Sequence, residues 1–339
     1  PVAPKGVLDD PSVDADIKKL VEAALACDWG YMGLHWDCEG HRAWEREWSR
    51  VEGDKGRKLL LRFLDDPDER VRSLAAKKMR WGFLTDSPED AKRLIEAAAR
   101  ETSGAVGFDL GTAVAGVAVE KTGTADALKS LLESTKLYQV RDGIAGRLLA
   151  QNAGSKAALE ITIAIADKDW NDDVQHSAIR SIAEHGAIDL DLSCAALDAH
   201  VTNPKSNVRG AAATAIGKLA CKGAFDHAVD FIEAELAKPH PNTYQVVSAA
   251  EEICGAGATG AQGKKLAGLF EQTVHNERLF AGSRADALRP IAACDTVEGM
   301  KVVRRFTKHK EPRIREQAEK LVTPPNPPPK VIPAPRSEE

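Results

Sequence analysis

Aromatic residues are scarce. They make up 5% of the 339-residue chain, with three Tyr and eight Phe. Sheets favour aromatic and β-branched side chains, so their scarcity beside abundant Ala and Leu points to closely packed helices. Long apolar runs are missing too. Nothing approaches the roughly 18–20 residues that a membrane-spanning helix needs, and the longest low-charge stretch, 103–119, contains Asp109 and is interrupted by Gly104, Gly107, Gly111 and Gly116. Neither sign of charge dominates: 46 Lys and Arg stand against 51 Asp and Glu, for a net charge of −5. That balance lacks the overall electrostatic footprint of a nucleic-acid binder. The sequence also has no G-x-S-x-G, H-E-x-x-H, Walker-type loop or dinucleotide fingerprint. The run Gly255-Ala256-Gly257-Ala258-Thr259-Gly260 has a suggestive glycine spacing, but it follows a helical pattern and reads as an inter-helix loop. The acidic pairs Asp172-Asp173 and Glu251-Glu252 fall at helix starts or surfaces and read as solvated charge. No catalytic residue and no cofactor are expected, so the chain reads as a non-enzyme.

What the sequence does have is a beat. A β-branched or large apolar residue recurs at Val71, Val106, Val140, Val174, Val208, Val246, Phe280 and Ile314, at steps of 34 or 35 residues with one step of 38. A period of this length marks a solenoid, in which stacked supersecondary units bury each other's apolar faces. The clearest unit runs Asp65-Asp66-Pro67-Asp68-Glu69-Arg70-Val71-Arg72-Ser73-Leu74-Ala75. Asp-Pro stops one helix; the acidic residues suit the positive end of the next. Val71 and Ala75 share one face, where a small side chain lets helices approach closely. The grammar returns around Pro204-Val208-Arg209-Ala212, Pro312-Ile314-Arg315-Ala318, Val174-Ala178 and Pro241-Val246-Ala250.

This pattern resembles HEAT repeats, antiparallel helix pairs with a D-P-x-x-x-V-R-x-x-A-like turn and second helix. The resemblance implies an all-α fold, a right-handed α-solenoid of about eight HEAT-like helix pairs over residues 57–322. First helices are expected near 57–65, 88–100, 123–134, 155–167, 190–201, 224–237, 261–274 and 296–307. The glycines of 104–116 weaken one second helix or else allow close contact with a neighbour. The resemblance also implies that the arginines after the beat, Arg72, Arg141, Arg209 and Arg315, pair with acids or amides of the turns. Tetratricopeptide repeats have a similar period, but their Trp, Gly-Tyr and Pro positions are missing.

Residues 1–56 do not repeat. An amphipathic helix over 14–26, a loop from Cys27 to Gly40 and a helix over 41–51 gather four of the six Trp between Trp29 and Trp48. They read as a helical, Trp-rich cap on the first repeat. Residues 323–339 are Pro-rich and read as a polyproline-like or disordered tail.

Six cysteines permit full pairing. Cys27 and Cys38 bracket a loop of turn residues, and Cys194 and Cys221 sit at ends of antiparallel helices that meet, so both pairs are disulfide candidates. Cys254 and Cys294 fall about two turns out of step when Phe280 is taken as the beat, and disulfide geometry argues against that pair. Free thiols remain an alternative, as does a metal site at Cys27, His35, Cys38 and His41, although that spacing is no standard finger. Bridges require an oxidising compartment. Together with a first residue Pro1 in place of Met, they suggest a periplasmic or secreted chain, processed or trimmed, with an N-terminal tether one option; the alternative is cytoplasmic.

Helical angles place the residues two and six after each beat away from the core. Those rows include Lys77, Phe108, Asp142, His176 and Arg180 and form no basic stripe. A mixed surface of this kind suits a protein or peptide partner and not nucleic acid. Trp29, Tyr31, Trp36, Lys77, His176 and Arg180 are the candidate binding residues. The expected protein is a monomer or weak oligomer acting as a scaffold. The competing reading is a HEAT-like enzyme or enzyme accessory, DNA glycosylase-like or chromophore-lyase-like, which a clustered basic and aromatic groove would favour.

Overall fold

A computed structural model describes residues 6–30, 33–34, 38–48, 53–80, 85–169, 171–204, 208–258, 260–294 and 297–323. The fold is all-α apart from one two-residue hairpin. The chain gathers into two compact units, Pro1–Ala224 and Phe225–Glu339.

Unit 1 opens with a 3-10 turn, Val7–Asp9, whose Val7 amide donates to Asp66 Oδ2 at 2.6 Å. Helices α1 (Ala15–Leu25) and α2 (Glu39–Trp48) flank the antiparallel pair β1 (Trp29–Gly30) and β2 (Gly33–Leu34), and the Cys27–Cys38 disulfide closes that loop. The two helices touch at Gly40, where a Cβ would fall 1.9 Å from the Ala23 carbonyl oxygen. Trp44 and Trp48 are buried with ring centroids 4.5 Å apart, and each lies 6.1 Å from Phe63. Phe63 ends α3 (Asp54–Phe63), the first of the repeating helices. These two indoles therefore cover the apolar end of the array.

From α3 the chain alternates first and second helices. They are α4 (Glu69–Met79), α5 (Pro88–Arg100), α6 (Gly104–Ala115), the short α7 (Val119–Thr122), α8 (Ala125–Ser134), α9 (Tyr138–Ala145) with α10 (Leu148–Gln151), α11 (Lys156–Lys168), α12 (Asp172–His185), α13 (Leu190–Thr202) and α14 (Arg209–Lys218). Their starts follow the sequence chemistry. Side chains of Asp68, Ser87, Ser155 and Asn171 each accept from an amide in the first turn that follows, which satisfies donors that a helix cannot pair internally. Val71, Val106, Val140, Val174 and Val208 are all buried, as are the small partners Ala75, Ala178 and Ala212. The glycines of α6 do not break it. A Cβ at Gly111 would lie 2.2 Å from the Val140 oxygen and one at Gly143 2.5 Å from the Phe108 oxygen, so α6 and α9 cross at a distance only glycine allows.

Unit 2 contains α15 (Phe225–Leu236), α16 (Thr243–Gly255), α17 (Gly260–His275), α18 (Ala281–Asp286) with α19 (Leu288–Cys294), α20 (Glu298–Phe306) and α21 (Pro312–Val322). Val246 and Ile314 are buried as the beat requires, but Phe280 is 88% exposed. It caps α18 from outside the first turn, with an extended backbone at φ −58° and ψ 142°. Ala285, Ala287, Leu288 and Ile291 fill the core in its place. Counting from Phe280 therefore misplaces the second helix that follows it, although the next beat residue, Ile314, is buried. The expected mismatch of Cys254 and Cys294 is one consequence, and it is corrected here: they form a disulfide with Cα atoms 4.7 Å apart. Cys194 and Cys221 are bridged as expected, with Cα atoms 5.4 Å apart.

Candidate functional site: a groove along the second helices of unit 1

Four segments of unit 1 bound a groove of about 840 Å³. The hairpin supplies Trp29 and Gly30; α4 and its end supply Lys77 and Arg80; the first turns of α6 and α9 supply Ser103 to Ala105, Phe108, Asp109, Tyr138, Gln139 and Asp142. The place is dictated by the repeat. Second helices of successive pairs lie side by side, and positions just before and just after the buried valine look out on one shared face. Phe108 is 44% exposed there, and Trp29 and Tyr138 are half-buried.

The charged floor is tightly organised. Asp109 is buried and paired with Arg80 across α4 and α6. Lys77, expected to face solvent, is only 4% exposed. Burial lowers its pKa against the opposing attraction of Asp109. Asp142 is raised by burial, partly offset by the hydrogen bond it accepts from Ser177 Oγ at 2.5 Å; Asp173 pushes it further up while Arg180 pulls it down. Arg180 itself is exposed and His176 half-buried, and neither lines the groove.

Behind the groove, the arginines after the beat act structurally. Arg72 makes a two-pronged contact with Glu101, Nε to Oε2 at 2.8 Å and Nη2 to Oε1 at 3.0 Å, while its Nη1 donates to the Asp66 carbonyl at 2.9 Å. Arg141 repeats this with Asp169 Oδ2 at 2.6 Å and the Thr135 carbonyl at 2.7 Å. Arg315 retains the carbonyl bond, to His309 at 3.0 Å. Glu101 and Asp169 terminate the first helices of the following pairs, α5 and α11, and also accept backbone amides of the turns behind them. Arg72 and Arg141 thus each fasten their own turn and the next pair at once.

Of the six residues singled out as binding candidates, Trp29 and Lys77 come together in the groove; Tyr31 and Trp36 lie outside the described residues. In the grouping Cys27, His35, Cys38 and His41, the cysteines are engaged with each other, His35 lies outside the described residues, and His41 is buried on α2. Arg80, Tyr138 and Gln139 were not anticipated. Tyr138 and Gln139 precede their beat residue by two and one positions, so a count running forward from the valine passes them over.

Among solved structures, the chain is similar to the crystal structure of Kap121p, a HEAT-repeat protein, with a TM-score of 0.56 over 89% of this chain. The fold is HEAT-like. The match covers 35% of Kap121p at 15% sequence identity, and a likeness that distant speaks for the HEAT-like architecture alone. No family model and no curated protein matches the sequence.

Proposed function

We propose that the chain is a non-enzymatic HEAT-like scaffold that holds a peptide segment of a protein partner in the groove of unit 1. The observation that carries this is the groove itself, where Trp29, Phe108 and Tyr138 from three separate segments stand over a floor of Lys77, Arg80, Asp109 and Asp142. Rigid aromatics supply contact area at low entropic cost, and flanking polar groups fix register. The acids favour binding over catalysis: Asp109 is held by Arg80 and Asp142 by Ser177, so both serve packing. The enzyme alternative has less support for that reason. Three disulfides fit an oxidising compartment, which favours a periplasmic or secreted protein. No described helix is long and apolar enough to cross a membrane.

A photo-crosslinking amino acid at position 108, introduced in the source cell, tests the proposal. One protein partner should be captured there, and Trp29→Ala together with Tyr138→Ala should abolish capture. Crosslinks that are indiscriminate, or that persist in the double variant, would remove the groove as the binding site.

A further inference from the structure

We infer that the turn edge of unit 2 is a second docking surface, for an acidic peptide segment that carries apolar side chains. The starting point is two aromatics in water. Tyr244 is 78% and Phe280 88% exposed; one exposed aromatic alone is ordinary, but two carried to the same edge of a domain among exposed cations offer apolar anchors to a ligand. Tyr244 lies in the first turn of α16 and Phe280 caps α18. The two helices pack against each other as second helices of successive pairs, so their N-terminal ends share one edge. Helix α21 brings a third end to it: a Cβ at Gly282 would stand 3.6 Å from Arg313 Nη1.

The turns along this edge, 237–244, 276–282 and 307–313, hold Lys238, Arg278, Lys308, Lys310 and Arg313 against Glu277 and Glu311. Lys310 is tied to Glu277 at 3.0 Å and Lys238 to Glu235, while Arg278, Lys308 and Arg313 are exposed beside the aromatics. A locally basic edge on a chain of net charge −5 selects an acidic ligand. The cations number one, one and three in the three turns and are interrupted by carboxylates, which suits a peptide with alternating acids and apolar anchors better than a continuous phosphate backbone. This surface is independent of the groove in unit 1.

The test uses the full chain and fluorescence anisotropy with three labelled probes: a dodecapeptide of alternating Asp and Leu, the same peptide with Asn for Asp, and a twelve-residue oligothymidylate. The acidic peptide should bind saturably and weaken with salt. Tyr244→Ser with Phe280→Ser, and separately Arg313→Glu, should each weaken it about tenfold or more, while Lys92→Glu, an exposed cation on α5 of unit 1, leaves it unchanged. All three side chains are exposed, so an unaltered helical circular dichroism signal will confirm folded variants. Equal binding of the Asn peptide, equal binding by the variants, or tighter binding of the oligonucleotide would overturn the inference. So would a concentration-dependent dimer that Phe280→Ser dissolves, because the edge would then belong to a second copy.

Discussion

The two units follow the same repeat but fasten it differently. Unit 1 stitches successive pairs with buried charge: Arg141 and Asp169 have side chains 5% and 3% exposed, and the Arg72–Glu101 and Arg80–Asp109 pairs are nearly as enclosed. Asn152 adds a neutral stitch, accepting from the Val119 amide and donating to the Ala115 and Leu148 carbonyls. In unit 2 the links between pairs are more exposed: Lys265 to Asp230 and Glu233, Arg305 to Glu271 and Lys310 to Glu277 lie at the surface, and Arg289 to Glu251 is partly open. Its buried arginine, Arg284, donates to the Val274 carbonyl at 2.8 Å, and a disulfide joins α16 to α19. Unit 2 thus relies on more exposed pairs and on one covalent bond between neighbouring second helices.

The largest effect should come from removing a buried staple. Arg141→Ala leaves Asp169 enclosed and uncompensated, which costs about 3–5 kcal/mol. Denaturant unfolding, with hydrogen exchange to locate the change, should show the loss in unit 1 and leave the protection of unit 2 intact. A loss under about 1 kcal/mol would mean that the buried pairs do no more than surface pairs and would erase the contrast between the units. Removing the disulfide of unit 2 by Cys254→Ser with Cys294→Ser comes next. Its 40-residue separation corresponds to about 4 kcal/mol as an upper figure in the chain-entropy account, and the destabilisation should appear in unit 2.

Much of the fold was legible because it is carried by local chemistry. The valine beat, the alanine four residues on and the capping side chains each act within a turn or two, so α5 begins at Pro88 and α13 at Leu190, where the apolar spacing puts them. Two things were not legible. Phe280 is apolar and falls on the period, and only the start of α18 one residue later shows that it lies outside the core. The arginine partners are the second. Glu101 and Asp169 lie 29 and 28 residues beyond Arg72 and Arg141, and nothing local distinguishes them from the many other acids. The groove was half visible. Lys77, Phe108 and Asp142 lie on the outward rows, but the burial of Lys77 does not follow from its place in the row.

Acid should separate the units by sign. Burial raises the Glu101 pKa, but the Arg72 hydrogen bond and the amides of Ser103 and Thr102 outweigh it, and the net shift is below the usual 4.5. A carboxyl lowered by folding contributes stability that is present above its unfolded pKa and lost as pH falls through the folded value. Glu251 in unit 2 runs the other way. Burial raises it against the attraction of Arg289, so its ionised form opposes folding and protonation relieves that cost. On acidification from pH 6 through pH 4 and below, exchange protection around α4 and α5 should fall, and Glu101→Gln should flatten the dependence. Protection around α16 should hold longer. Parallel loss in both units, unchanged by Glu101→Gln, would show that the staple does not govern the acid response of unit 1.

The smallest effect sharpens the comparison from the other side. Arg305 and Glu271 meet at 3.0 Å with side chains 67% and 33% exposed. An exposed pair pays side-chain entropy to hold its geometry and is screened by salt, so Arg305→Ala should cost no more than about 0.5–1 kcal/mol, and less as ionic strength rises. Set beside Arg141→Ala in the same denaturation series, it contrasts an exposed bridge with a buried one. Both substitutions remove an arginine that bridges one pair to the next over roughly thirty residues of sequence; Arg141 is enclosed and also holds the Thr135 carbonyl, and Arg305 stands in solvent. If the two losses came out equal, the repeat would be held by the number of its bridges; a severalfold difference would show that it is held by where they lie.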